Sequence, residues 1–112
     1  MKHLPLLEAP AGIACCTPLT TDLGANDATG LASVFAALGD PTRVRIVNAL
    51  LRAGDACCVC DLEPGLGVGQ STVSYHLKRL LDVGLLEREK RGTFSFYRLA
   101  PQAIDEVRAL FA

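Results

Sequence analysis

No apolar run in this chain approaches the roughly 18 residues that a membrane-spanning helix needs, so no membrane partner is expected. The first residues, MKHLPLLEAPAGIA, hold one Lys, two prolines and a Glu, and lack the continuous apolar stretch of an export signal. They are expected to form a cytoplasmic tail. Histidine is scarce, with only His3 and His76. There is no glycine-rich nucleotide loop, no carboxylate pair suited to acid–base work, and no base beside a thiol. An enzyme is therefore not expected. Internal repeats and low-complexity segments are absent too. The formal net charge of −1 excludes a polycation. What remains is 112 residues, half of them hydrophobic and 21% charged. That suits one domain with a modest core, and a dimer that shares apolar helices would enlarge it.

Sulfur is present in an unusual arrangement. The five cysteines are Cys15, Cys16, Cys57, Cys58 and Cys60. An odd count with two adjacent pairs makes a poor disulfide framework. In a reducing compartment, clustered thiols more often bind metal or do redox work. The alternative for residues 57–60 is burial as small hydrophobes, and for Cys15-Cys16 an unstructured pair.

Charge is uneven. Between Ser71 and Arg98 lie six basic residues (Lys78, Arg79, Arg88, Lys90, Arg91 and Arg98) against three acidic ones. The rest of the chain carries five against nine, which restores the net value. A basic stretch in a neutral chain marks either one face that meets a polyanion or a solvated surface.

Residues 1–27, broken by Pro5, Pro10, Gly12, Pro18 and Gly24, read as a flexible N-terminal arm. From about Ala28, Leu31, Val34, Phe35 and Leu38 recur at helical spacing, and Gly39 stops the helix. In DPTRVRIVNALLRAG, Asp40 suits the cap, Pro41 the first turn and Gly54 the end. Val44, Val47 and Leu51 are expected to face inward, with Ile46 and Leu50 alongside. Asp61 is expected to cap a short helix with Pro64 in its first turn. In GQSTVSYHLKRLLDVGLL, Val73, Leu77 and Leu80 form an inner stripe and Gly84 ends the helix. LLEREKRGTFSFYRLA alternates as a β-hairpin with its turn at Arg91-Gly92. Phe94, Phe96 and Arg98 fall on one face, Ser95, Tyr97 and Leu99 on the other. PQAIDEVRALFA closes as a helix.

A short helix, a tight turn at residues 67–69, a hydroxyl-rich helix and a basic hairpin make a winged helix-turn-helix. The fold class is mainly α with a β-hairpin, expected as a homodimer over residues 28–112. A recognition helix needs short polar side chains near its N-terminus, where base edges and phosphates approach. Gln70, Ser71, Thr72, Ser74 and Tyr75 supply them. Lys78 and Arg79 suit phosphate contacts further along, and Arg91 suits them at the hairpin tip. Taken alone, STVSYHL would be an ordinary solvated helix; its neighbours on either side favour double-stranded DNA. His76 reads as a surface or half-buried polar residue.

FAALGDPTRVRIVNALL, CVCDL and GQSTVSYHLKRLLDVGLLEREKRGTFSFYRL resemble the ArsR/SmtB family of bacterial metal-responsive repressors, over about Leu31 to Leu99. The resemblance implies winged-helix homodimers, joined mainly by first and last helices, that bind operator DNA when metal-free and release it when metal binds. Gly69 stands where similar proteins usually open the recognition helix with Ser. Pro64-Gly65 replaces more helical residues. One version of the family's sensor uses Asp and His on the last helix. Here that helix has Asp105 and Glu106 but no His or Cys, so such a site is not expected. Another uses thiolates in a CVC motif, which Cys58-Val59-Cys60 matches. A third adds cysteines from an N-terminal arm, where Cys15 and Cys16 lie.

Sulfur ligands select thiophilic ions. Trivalent arsenic, As(III), or antimony, Sb(III), takes three thiolates in a pyramid. Cd(II) prefers four ligands, and Pb(II) takes three or four. Five cysteines permit either set, and arsenic or antimony is the favoured effector. In an ideal helix, positions 58 and 60 point about 200° apart, whereas 57 and 60 are neighbours. Either Cys57 partners Cys60, or the chain is not helical at Cys58. A redox-sensing repressor with a Cys57–Cys60 or arm disulfide is the rival.

Overall fold

The computed structural model describes residues 17–112. The elements run α1 (Ala25–Leu38), α2 (Pro41–Ala53), β1 (Cys57–Cys58), α3 (Val59–Leu66), α4 (Gln70–Asp82), β2 (Leu86–Arg91), β3 (Phe94–Leu99) and α5 (Pro101–Leu110). Helices α3 and α4 with the turn between them are the helix-turn-helix, and β2–β3 is the wing. Among the described residues no helix is long and apolar enough to cross a membrane.

Local chemistry accounts for most boundaries. Helix α1 starts three residues before the apolar period does and ends at Gly39. Asp40 caps α2 by accepting the Arg43 backbone N–H at 3.1 Å, and Pro41 follows in the first turn. Gly54 closes α2 in the left-handed region at φ 69°. Helix α3 departs from expectation at its start. Cys58, not Asp61, is the cap residue, with extended φ and ψ of −89° and 169°. Asp61 sits three residues into the helix and accepts the Cys58 backbone N–H at 3.1 Å, the reciprocal half of a capping box. Pro64 therefore lies past the first turn, and the carbonyl of Cys60 cannot receive its usual helical bond from it.

The core forms where α4 crosses the other helices and the sheet. Val73, Leu77 and Leu80 are fully buried, as their i, i+4, i+7 spacing requires. Helix α2 turns differently from expectation. Ile46 and Leu50 are its buried residues, while Val44 is 50% and Leu51 56% exposed. Apolar residues occupy 44, 46, 47, 50 and 51, so periodicity fits two adjacent stripes. Val47 packs against the core as expected, beside Ile46 and Leu50, while Val44 and Leu51 stay outside it. Phe35, Leu110 and Phe111 also leave apolar surface exposed, on α1 and at the end of α5.

The sheet has three antiparallel strands in the order β1-β3-β2. Pairing of Arg91 with Phe94 makes Gly92-Thr93 the hairpin loop, one residue beyond the expected turn. The first residue of such a two-residue loop needs positive φ, and Gly92 takes it at 64°. Alternation falls as expected. Tyr97 and Leu99 pack with the core, and Phe94 is exposed on the opposite face. Strand β1 was not expected. Its pairs are Cys57 with Tyr97 and Cys58 with Phe96, which fastens the thiol segment to the wing.

Leu77→Ala should destabilise the protein by about 2–5 kcal/mol, the range for a leucine removed from a closed core. Urea unfolding at fixed protein concentration measures it, and a loss below about 1 kcal/mol would contradict this account of the core.

Candidate metal centre and nucleic-acid interface

The helix start decides how the sulfurs meet. Cys58 is extended and Cys60 is the second helical residue, so the 200° separation of an ideal helix does not apply. Their Cα atoms are 5.3 Å apart and the two sulfurs are joined as a disulfide. Of the two geometries open from sequence, the chain adopts the one that is not helical at Cys58. The Cys58 and Cys60 sulfurs and a carboxylate oxygen of Asp61 lie within 4.8 Å of one another. When the pair is reduced, this is a soft two-thiolate donor set with one oxygen beside it, which fits a thiophilic ion. Cys58 is buried, while Cys60 and Asp61 are exposed, so the group is open to solvent on one side.

Cys57 is not brought into this group. Successive residues of a strand point to opposite faces. Cys57 packs against the core beside Tyr97, and its thiol donates to the Asp55 carbonyl at 3.5 Å. It is the free cysteine among the described residues. Burial, then the carboxylates of Asp61 and Asp55, pushes its thiol pKa up. A raised thiol pKa disfavours the thiolate that would bind an ion. Cys15 and Cys16 lie outside the described residues.

The α4 side chains Gln70, Ser71, Thr72, Ser74, Tyr75, Lys78 and Arg79 are all exposed, opposite the buried stripe. Gly69 caps α4 with no side-chain hydrogen bond, so the first-turn N–H groups stay available to an anion. Lys78 pairs with Asp82 one turn on at 3.4 Å, an exposed contact that a phosphate can displace. Arg91 ends β2. Its guanidinium lies 4.5 Å from the Phe96 ring centre and reaches Glu89 at 3.4 Å. It is thus braced on the wing rather than free at the tip.

The two sites adjoin. A cavity of about 260 Å³ is bounded by Cys58 and Cys60, by Gln70 and Ser74 of α4, and by Thr93 and Phe94 of the hairpin. Two features escaped sequence reasoning. A two-residue strand carries no periodic signal. Arg43, which hydrogen-bonds His76 across 33 positions at 3.1 Å, has no local marker either.

Residues 40–88 match the family model described as "Bacterial regulatory protein, arsR family". The arsenical resistance operon repressor of Bacillus subtilis is 44% identical over 63% of this chain and 67% of its own length. A cadmium resistance regulatory protein CadC homologue of Staphylococcus aureus is 33% identical over 77% of this chain and 70% of its own. The homodimeric winged helix-turn-helix DNA-binding domain of a Mycobacterium bovis protein superposes with a TM-score of 0.65 at 27% identity. That match covers 85% of this chain and 86% of that one. The motifs, the fold and these relatives agree, and the chain belongs to the ArsR family of DNA-binding bacterial transcriptional regulators.

Proposed function

We propose that this chain is a cytoplasmic homodimeric repressor that binds double-stranded operator DNA through α4 and the wing when metal-free. Trivalent arsenic or antimony, bound by Cys58 and Cys60, releases it. The observation that carries this reading is the shared cavity, where the thiol pair, the first turn of α4 and the hairpin loop meet. Strand β1 reinforces it, because a shift at Cys58 pulls on its partner Phe96 in the wing. Gln70, Ser71, Thr72, Ser74 and Tyr75 read or approach bases, while Lys78, Arg79 and Arg91 contact phosphates. The arm expected over residues 1–27 gives up its last three to α1, so residues 1–24 serve as the arm and residues 25–112 as the DNA-binding and dimerisation domain.

A bound thiophilic ion cross-links the thiolates it touches. The chain's part is to supply them from β1 and the start of α3, with Asp61 beside them and Cys15 or Cys16 completing three sulfurs. The pull on β1 would move the wing relative to α4, and the two recognition helices of the dimer would no longer match successive major grooves. By linkage, DNA and ion weaken each other, typically by about 1–3 kcal/mol. The cadmium-resistance relative keeps Cd(II) or Pb(II) as the alternative effector.

Arsenite should lower operator affinity about 5–150-fold in an anisotropy titration of the reduced protein. Cys58→Ser or Cys60→Ser should abolish the response, and Cys57→Ser should preserve it. Unchanged DNA affinity with arsenite, antimonite, cadmium and lead alike would defeat the reading.

The Cys58–Cys60 disulfide favours a second reading, a thiol-redox-sensing repressor. Peroxide without metal would then release DNA, and a thiol reductant would restore binding. Retention of DNA by the oxidised protein rejects that version.

Dimerisation is assigned to α1 and α5. Their flanks border a cavity of about 380 Å³ that includes Leu31 and Ala109, and Phe35, Leu110 and Phe111 are exposed nearby in sequence on these elements. Replacing Phe35 and Leu110 together by Glu should yield a monomer in light scattering and weaken operator binding. A dimer that survives both charges would contradict the assignment.

A further inference from the structure

The recognition helix is held by two kinds of contact. Its inner stripe is apolar and decides which face is buried, and a hydrogen bond adds a directional constraint on rotation. Direction enters at one point. Arg43, in the first turn of α2, donates from Nε to the Ala37 carbonyl at the end of α1 and from Nη1 to His76 Nδ1 at 3.1 Å. The Arg43 backbone N–H donates to Asp40 Oδ2, and that oxygen lies 3.9 Å from His76 Nδ1. His76 is 12% exposed in its side chain, and the Tyr75 ring meets it edge-on with centroids 5.3 Å apart. Among the described residues this is the one side-chain hydrogen bond from α4 to another element.

The chemistry is asymmetric. A guanidinium only donates, so His76 must accept at Nδ1 and carry its proton on Nε2. Asp40 keeps its own charge through the same cluster. The Arg43 backbone N–H first, then the Arg43 guanidinium, lower its pKa despite partial desolvation. Hydrogen bonds weaken steeply off line, so this one adds resistance to rotation of α4 beyond that of the buried stripe.

We propose that His76 is a positioning residue for DNA reading. By accepting from Arg43 it fixes the rotation of α4 on the α1–α2 junction, and so aims Tyr75 and the first-turn hydroxyls. The proposal rests on α4 being the DNA-reading helix. It also ties that helix to α1, one of the two helices assigned to the dimer.

The test uses the full, reduced chain and a labelled duplex that the wild-type protein enriches from a random-sequence pool. A scrambled duplex of the same composition is the control. His76→Leu keeps bulk and removes the acceptor. It should lose about 10-fold or more in affinity for the selected duplex, the size of a charge-assisted hydrogen bond, while phosphate-driven binding to the scrambled one is unchanged. His76→Asn places Oδ1 near the lost Nδ1 and should recover most of the loss. Arg43→Gln should add nothing in the His76→Leu background, because the partners act as a pair. Thermal unfolding by circular dichroism accompanies each variant. Wild-type selectivity in His76→Leu, a folded His76→Asn without rescue, or losses that add with Arg43→Gln would overturn the proposal. Should His76→Leu fail to fold, Arg43→Lys decides. An ammonium lacks the fork that spans Ala37 and His76. Selectivity should fall in that variant, and unchanged selectivity overturns the proposal. If the wild-type chain enriches no duplex, the DNA-reading assignment fails and this proposal with it.

Discussion

Two backbone residues organise the functional end of the molecule. Strand β1 is only Cys57–Cys58, yet its pairing with Tyr97 and Phe96 brings the thiol segment against the wing. The alternation of a strand then sorts the sulfurs. Cys57 turns to the core, and Cys58 turns to the cavity shared with α4. The same residue that ends the strand opens α3, so Cys60 follows within one helical step and Asp61 closes the cap from behind. A one-residue shift in the pairing register would flip the faces, and a helix begun one residue earlier would splay the two sulfurs.

Helix α4 shows how one segment serves two demands. Its buried stripe is aliphatic and completely closed to solvent, which anchors the helix in the core. Its outer face is a run of hydroxyls and amides with bases further along, none of which the core needs. Gly69 at the cap contributes no side chain, which weakens the cap slightly but leaves first-turn N–H groups uncovered. His76 stands between the faces. Its side chain is largely buried, polar and bonded to Arg43 of α2, a directional contact beside the leucine packing.

Much of this was legible beforehand. The stripe of Val73, Leu77 and Leu80 is strongly periodic, and the caps Asp40, Gly39 and Gly54 are chemical signals read one residue at a time. The hairpin showed as alternation, although its loop sits one residue later because Gly92 takes the first loop position. Helix α2 was harder. Six apolar residues in eight positions satisfy two stripes, and Val44 and Leu51 proved exposed while Ile46 and Leu50 took the contact. The thiol cluster was visible as composition but not as geometry.

The amino-acid order alone determined the helices and the hairpin, the inner face of α4, the family motifs and the softness of the donor set. Each of these depends on side chains within a turn or two of one another. The tertiary structure decided which cysteines converge, that the group abuts α4, and that Arg43 reaches His76. Those relations depend on where strands pair and on how helices rotate in the core. Both are settled by contacts between residues tens of positions apart, for which no local pattern exists.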